Sequence, residues 1–324
     1  MEYSQNIEDP FRRYELALER HSRMYRHHFP AHIPTCNSEV ARYPDFFVIG
    51  AQKAGSTWLH IQLLHHPMVW SPIVKELFYF DQYYFYPTEN WPSEMRHSQY
   101  ENSIKETDMR LWDPQYLEFA DEFYGKIEPA NDLWYCKNFS FAGVDQLCCD
   151  ATASNAILPQ QAIAHMLRLS PHAKCVFIVR NPISRSWSHL RMIARQHGDI
   201  SHEEMLKLAE ESADTLYACS NYARIYNNFC HVFGKDRILL CNYHDLSTRP
   251  GLLLNQVCDF LGLPFDYDLF PIIDHVAFRG PVRSINVRLR EMLTRLLQPT
   301  IDSFKSLRPD IVRGWAADEI GVES

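Results

Sequence analysis

Three groups of residues have the types and the spacing to do chemistry. The first is the run Gly50-Ala51-Gln52-Lys53-Ala54-Gly55-Ser56-Thr57-Trp58. An apolar run, residues 46–49, precedes it, and a helical pattern over 58–66 follows, stopped by Pro67. A strand, a glycine-bearing turn and a helix N-terminus in that order aim free backbone N–H groups and the positive end of a helix dipole at one spot. Lys53 adds a full charge there, and Ser56 and Thr57 add hydroxyl donors, which is the chemistry of phosphate binding. The same residues also suit a tight turn with an incidental lysine. The second group is Lys75-Glu76, set against aromatics in VKELFYFD. It reads either as a general base beside a cation or as a solvated pair at the edge of a core. The third is RNPISRSWSH, from Arg180 to His189. An arginine placed after a buried strand can grip one phosphate with two charge-assisted bonds.

These residues need a frame. Residues 46–49 and 175–179 read as strands buried on both faces, as in a parallel sheet, with further strands at 68–70 and 237–241. Helical patterns cover 185–195 and 221–229, and Gly262 reads as a helix C-cap. Residues 81–148 are aromatic-rich and read as irregular; their tyrosines and tryptophans suit either core or a rim that stacks on a polar ligand. A last amphipathic helix over 290–297 should stop before Pro299, and 306–324 reads as a partly mobile tail. The fold expected is α/β: a P-loop-like parallel sheet flanked by helices, in a single domain over 45–309, with an N-terminal extension over 1–44 and a tail over 310–324.

The nucleotide-triphosphate loop G-x-x-x-x-G-K-[ST] is approached but not matched. Gly50 and Gly55 have its spacing, yet Ser56 stands where its lysine belongs, and the lysine lies inside the loop as Lys53. With a formal net charge of −8, general nucleic-acid binding is not expected. An apolar content of 46% supplies a sizeable core. With neither an apolar leader nor a membrane-length apolar run, the expectation is a soluble cytoplasmic protein. The nine cysteines lack C-x-x-C spacing and read as buried thiols, and no metal site is expected.

QKAGSTWL after an apolar strand, KELFYFD, and RNPISRSWSH together resemble the sulfotransferases that use 3′-phosphoadenosine 5′-phosphosulfate (PAPS), in their carbohydrate (heparan-sulfate-like) and bacterial branch. The resemblance implies a PAPS cosubstrate and no metal. It implies that Gln52, Lys53, Ala54, Gly55, Ser56, Thr57 and Trp58 form the 5′-phosphosulfate loop, with Lys53 at the bridge between phosphate and sulfate. Arg180 and Ser188 would hold the 3′-phosphate, helped by Arg279 from a closing loop. Glu76 would be the general base, and Lys75 would neutralise the transferring group. The acceptor implied is a hydroxyl or amine of a carbohydrate or small natural product. Two departures stand out: Ala153 and Asn155 replace the proline and tyrosine of D-x-T-P-x-Y, and His244 replaces a glutamate. The alternatives are a P-loop phosphotransferase or NTPase, and a non-catalytic nucleotide- or glycan-binding relative.

Overall fold

The computed structural model describes residues 42–86, 90–106, 114–125, 131–195, 198, 200–273, 284–312, 315 and 322–323. Most of the expected extension, Arg279 and Arg283 lie outside the described residues. The centre is a five-stranded, wholly parallel sheet in the order β2-β3-β1-β4-β5. Its strands are β1 (Phe46–Gly50), β2 (Val69–Trp70), β3 (Leu147–Asp150), β4 (Lys174–Val179) and β5 (Ile238–Asn242). Phe46 pairs with Cys149 on one side and Lys174 on the other, so β1 is central. Phe46 to Ile49 and Cys175 to Val179 are completely buried, which is why both strands are unbroken apolar runs.

Parallel strands send all their carboxyl ends to one edge. The chain leaves β1 first toward β2 and β3, then crosses to β4 and β5 on the other side. The Lys53 loop therefore emerges at the reversal of strand order, where open α/β sheets bind ligands. Arg180 follows β4, Thr152 follows β3 and Tyr243 follows β5 along the same edge.

The described residues within 81–148 are largely helical and not irregular. They contain helices Tyr79–Tyr84, Trp91–Glu106, Pro114–Tyr124 and Asp132–Lys137. Tyr116, Ala120 and Tyr124 recur at helical spacing on one buried face, so packing outweighs the low intrinsic propensity of tyrosine. Pro114 opens its helix, where a missing N–H costs nothing, and the Asn131 side chain caps the next by accepting from Trp134 N at 2.8 Å.

Pro299 does not stop the last long helix, which runs from Val287 to Leu307. Leu289, Leu293, Leu297, Thr300 and Phe304 bury one continuous face, and the Thr300 hydroxyl donates to the Leu297 carbonyl at 2.8 Å. That burial outweighs a local proline cost of about 3 kcal/mol. The segment expected to be a mobile tail carries Trp315, which is 4% exposed and stacks on Phe304 at 5.8 Å. Its carbonyl accepts from Asn181 Nδ2 at 3.2 Å, at the start of the helix Pro182–Ala194. Among the described residues no helix is long and apolar enough to cross a membrane.

The end of β1 tolerates no side chain. Gly50 has φ 135°, and a Cβ there would lie 2.8 Å from the Ala153 carbonyl oxygen. Gly50→Ala is expected to cost about 1–3 kcal/mol, read as a lower urea midpoint at unchanged slope. An unchanged midpoint would refute the close approach of β1 to the Ala153 turn.

Candidate active site

The loop after β1 is built to leave donors exposed to a ligand. Ala51 N donates to Ile178 O at 2.8 Å, tying the loop to β4, and Ala54 N donates to Ala51 O at 3.0 Å. Lys53 has φ 67°, a left-handed conformation unusual for a residue with a side chain. Gly55, at φ 96°, is the N-cap of helix Ser56–His65; a Cβ on it would lie 2.5 Å from Leu246 Cδ1. The loop is thus pressed against the short helix Tyr243–Thr248, which follows β5. The helix has no acid in its first turn and no side-chain cap. The N–H groups of Ser56, Thr57 and Trp58 have no possible partner inside their own helix. Leu59 N is the first to bond back, to Gly55 O at 3.1 Å. Ala54 and Trp58 are buried, so their offering to a ligand is the backbone, whereas Gln52, Lys53 and Thr57 are half-buried.

Cations gather on the β4 side of this loop. Burial, then the charges of Arg195, Arg180, Arg191 and Arg185, push the Lys53 ammonium down to about 7. Arg180 donates from Nη1 to Lys53 O at 3.2 Å, and its guanidinium lies 4.1 Å from the centroid of the Tyr243 ring. Its Nε is buried without a hydrogen-bond partner among the described residues. Ser188 is half-buried on the helix Pro182–Ala194, and Arg191 and Arg195 follow it at spacings that keep them on one helical face. Arg185 is different. It is fully buried, and its guanidinium donates to Ser220 Oγ at 3.0 Å, Ser186 Oγ at 2.9 Å and Leu216 O at 3.1 Å. It ties its helix to the helix Ala213–Ser220. His189, beside it, is held neutral by burial and by the charges of Arg185 and Lys53.

Acids gather on the β3 side. Glu76 is 4% exposed, and its Oε2 accepts from Ala153 N at 2.8 Å while the Lys75 ammonium closes on Oε1. The next N–H, of Leu77, donates to Thr152 Oγ1 at 3.0 Å; that hydroxyl donates to Asp150 Oδ1 at 2.6 Å. Tyr135 OH donates to Asp150 Oδ2, also at 2.6 Å. Asp81 is buried and accepts from Ser154 Oγ at 2.9 Å. Burial raises Asp81 to about 7 and Asp150 to about 6; the Glu76 charge adds to both rises, and their hydroxyl donors oppose them.

The arrangement fits a multiply charged anion seated on the loop. An uncapped helix start, clustered cations that depress the Lys53 ammonium, and an orphaned Arg180 Nε all suit a negatively charged group. The structure brings Lys53, the loop amides, Lys75, Glu76 and Arg180 to one sheet edge, and Ser188 lies on the helix that follows Arg180. Sequence reasoning missed Arg191, Arg195 and Tyr243. The spacing of Ser188, Arg191 and Arg195 was available as a signal, whereas the Tyr243–Arg180 contact joins two strand ends and had none.

Comparison with known proteins gives the family and the fold. The sulfotransferase family model matches residues 44–267. The bifunctional heparan sulfate N-deacetylase/N-sulfotransferase 1 of Caenorhabditis elegans is 22% identical over 280 residues, covering 82% of this chain and 27% of that protein. The human protein of the same name is 24% identical over 234 residues, covering 68% of this chain and 22% of its own length. The chain thus spans about a quarter of the length of the curated relatives it matches. A sulfotransferase from Alicyclobacillus acidocaldarius has the same fold, with TM-score 0.59 at 22% identity over 86% of this chain and all of that one. The sulfotransferase domain of the Synechococcus PCC 7002 olefin synthase superposes with TM-score 0.51 at 19% identity, over 84% of this chain and 98% of that one. The family match covers more than half of the chain, and the chain belongs to the sulfotransferase family, whose general reaction is PAPS-dependent sulfuryl transfer.

Proposed function

We propose that this chain transfers the sulfuryl group of PAPS to a hydroxyl or amine of a carbohydrate or small natural product, with Glu76 as general base. The observation that carries this reading is a buried Lys75–Glu76 pair on the same sheet edge as a cation-crowded phosphate loop. PAPS, when bound, supplies an already activated sulfuryl group on a nucleotide leaving group. Lys53, the amides from Gly55 to Trp58, and the Ser56 and Thr57 hydroxyls would hold the 5′ end. Arg180 and Ser188 would hold the 3′-phosphate, and Arg279 is proposed to join them. With both ends fixed, the acceptor is left to approach in line with the leaving group. Glu76 takes the acceptor proton, an effect of about 10²–10⁴-fold for a placed base. Lys53 and Lys75 face the charge that develops, with about 3–4 kcal/mol typical of a preorganised donor.

The heparan sulfate N-sulfotransferases among the relatives support an amine on a carbohydrate as one acceptor class. A P-loop phosphotransferase is disfavoured because Ser56 occupies the position of its lysine.

With labelled PAPS and a mixed panel of sugar and small-molecule acceptors, Lys53→Ala and Glu76→Gln should each lose transfer by about 10²-fold or more. Glu76→Gln should still bind 3′,5′-ADP. Full transfer by Glu76→Gln would remove Glu76 from the base role.

Nucleotide binding should also take up a proton. In the free chain the Lys53 ammonium loses its proton near pH 7, and an adjacent phosphate raises that value. At pH 8 the free lysine is mostly neutral and the bound one charged, so binding consumes protons and affinity falls as pH rises above about 7. Calorimetry of 3′,5′-ADP binding in buffers of different ionisation enthalpy should show this uptake at pH 8. Lys53→Met should abolish it, and equal uptake by that variant would assign the proton elsewhere.

A further inference from the structure

The loop that carries Glu76 lies outside the strands of the sheet. Strand β2 ends at Trp70 and the next helix begins at Tyr79. Within that gap Glu76 has φ 64° and Phe78 has φ 49°, so two side-chain-bearing residues flank Leu77 in the left-handed region. Each such residue costs about 1–2 kcal/mol relative to right-handed backbone. Something outside the loop must impose it.

Both peptide groups of Leu77 are pinned. Its N–H donates to Thr152 Oγ1 at 3.0 Å, and its carbonyl accepts from Arg96 Nη1 at 2.9 Å. Arg96 comes from the helix Trp91–Glu106 and is 3% exposed. Its Nη2 donates to Gln82 Oε1 at 2.7 Å and to Ser93 Oγ at 3.0 Å, and its guanidinium lies 4.5 Å from the centroid of the Trp134 ring. These acceptors are all neutral oxygens. A buried guanidinium held in this way is expensive compared with an apolar side chain of similar volume. Burial lowers its affinity for its proton accordingly, to about 9. The planar fork is what an apolar residue cannot supply: one arm takes the Leu77 carbonyl while the other is braced on two helices.

We propose that Arg96 is a positioning residue for sulfuryl transfer: it fixes the Leu77 carbonyl, and with Thr152 on the Leu77 N–H it holds the left-handed turn that aims the Glu76 carboxylate. The proposal rests on the reading of Glu76 as the base. Arg96 touches neither the phosphate loop nor the cations around Lys53, so nucleotide affinity is outside its reach.

The test uses the full chain and four variants: Arg96→Met, Arg96→Lys, Glu76→Gln and the double variant Arg96→Met/Glu76→Gln. Amide hydrogen exchange of a peptide spanning residues 73–80 should speed up about tenfold or more in Arg96→Met, with the peptide spanning 50–58 unchanged. The 3′,5′-ADP affinity should also be unchanged. On any acceptor labelled in the panel, Arg96→Met should lower kcat about 10–100-fold at near-constant KM, with Arg96→Lys recovering part of the loss. The double variant should be no slower than Glu76→Gln, because a residue that acts through the base has nothing left to aim. Unchanged exchange at 73–80, exchange raised equally at 50–58, or losses that multiply in the double variant would each overturn the role of Arg96. Full activity in Glu76→Gln would instead overturn the base reading, and the exchange result would still decide whether Arg96 holds the turn.

Discussion

Strand β1 is completely buried over Phe46 to Ile49 and has a parallel neighbour on each side. No polar side chain fits along it, so the chain's chemistry is confined to the edge where β1 ends. The other strands run the same way, and each delivers its next residues to that edge. Gly50 makes the exit possible by passing against the Ala153 turn, and Gly55 does the same beneath Leu246. The segments after β3 and β5 are thereby packed onto the β1 loop from opposite sides.

This confinement sorts the charges. Cations lie on the β4 side, where Arg180, Arg185, Arg191 and Arg195 act on Lys53. Acids lie on the other side, where the Glu76 charge adds to the rises of Asp81 and Asp150. Three buried carboxylates together would repel strongly, and the rise of Asp81 to about 7 and Asp150 to about 6 relieves part of this. The Lys75 ammonium goes to Glu76 and not to either neighbour among the described contacts. Among the described residues, the non-glycine positions with positive φ are Lys53, Glu76 and Phe78. Strain therefore sits in the two loops that meet at the edge and not in the scaffold, as expected where geometry is held for function.

The sequence made part of this legible. The loop after β1, the strand before Arg180 and the family resemblance rest on local order, and local order is what a sequence displays. The helices within residues 81–148 were hidden because tyrosine and phenylalanine have weak helix propensity, and their periodicity counts only once a partner surface exists. Pro299 misled for a related reason: its cost is local, while the compensating face from Leu289 to Phe304 is tertiary. Arg96 and Tyr243 act across elements distant in the chain, on Leu77 and Arg180 respectively. No spacing rule reaches them.

The departure at Ala153 shows how a mismatch can carry information. Against the D-x-T-P-x-Y pattern, alanine in place of proline reads as a weakened resemblance. In the structure the Ala153 N–H donates to Glu76 Oε2 at 2.8 Å. A proline has no N–H, so this bond exists only because the pattern is broken. The Glu76 carboxylate is thus gripped by an ammonium on one oxygen and a backbone amide on the other. Both contacts restrict its rotation. A carboxylate held on both oxygens keeps a fixed direction. The turn imposed by Arg96 and Thr152 acts to the same end, since a fixed carboxylate is useful only if its backbone is fixed as well.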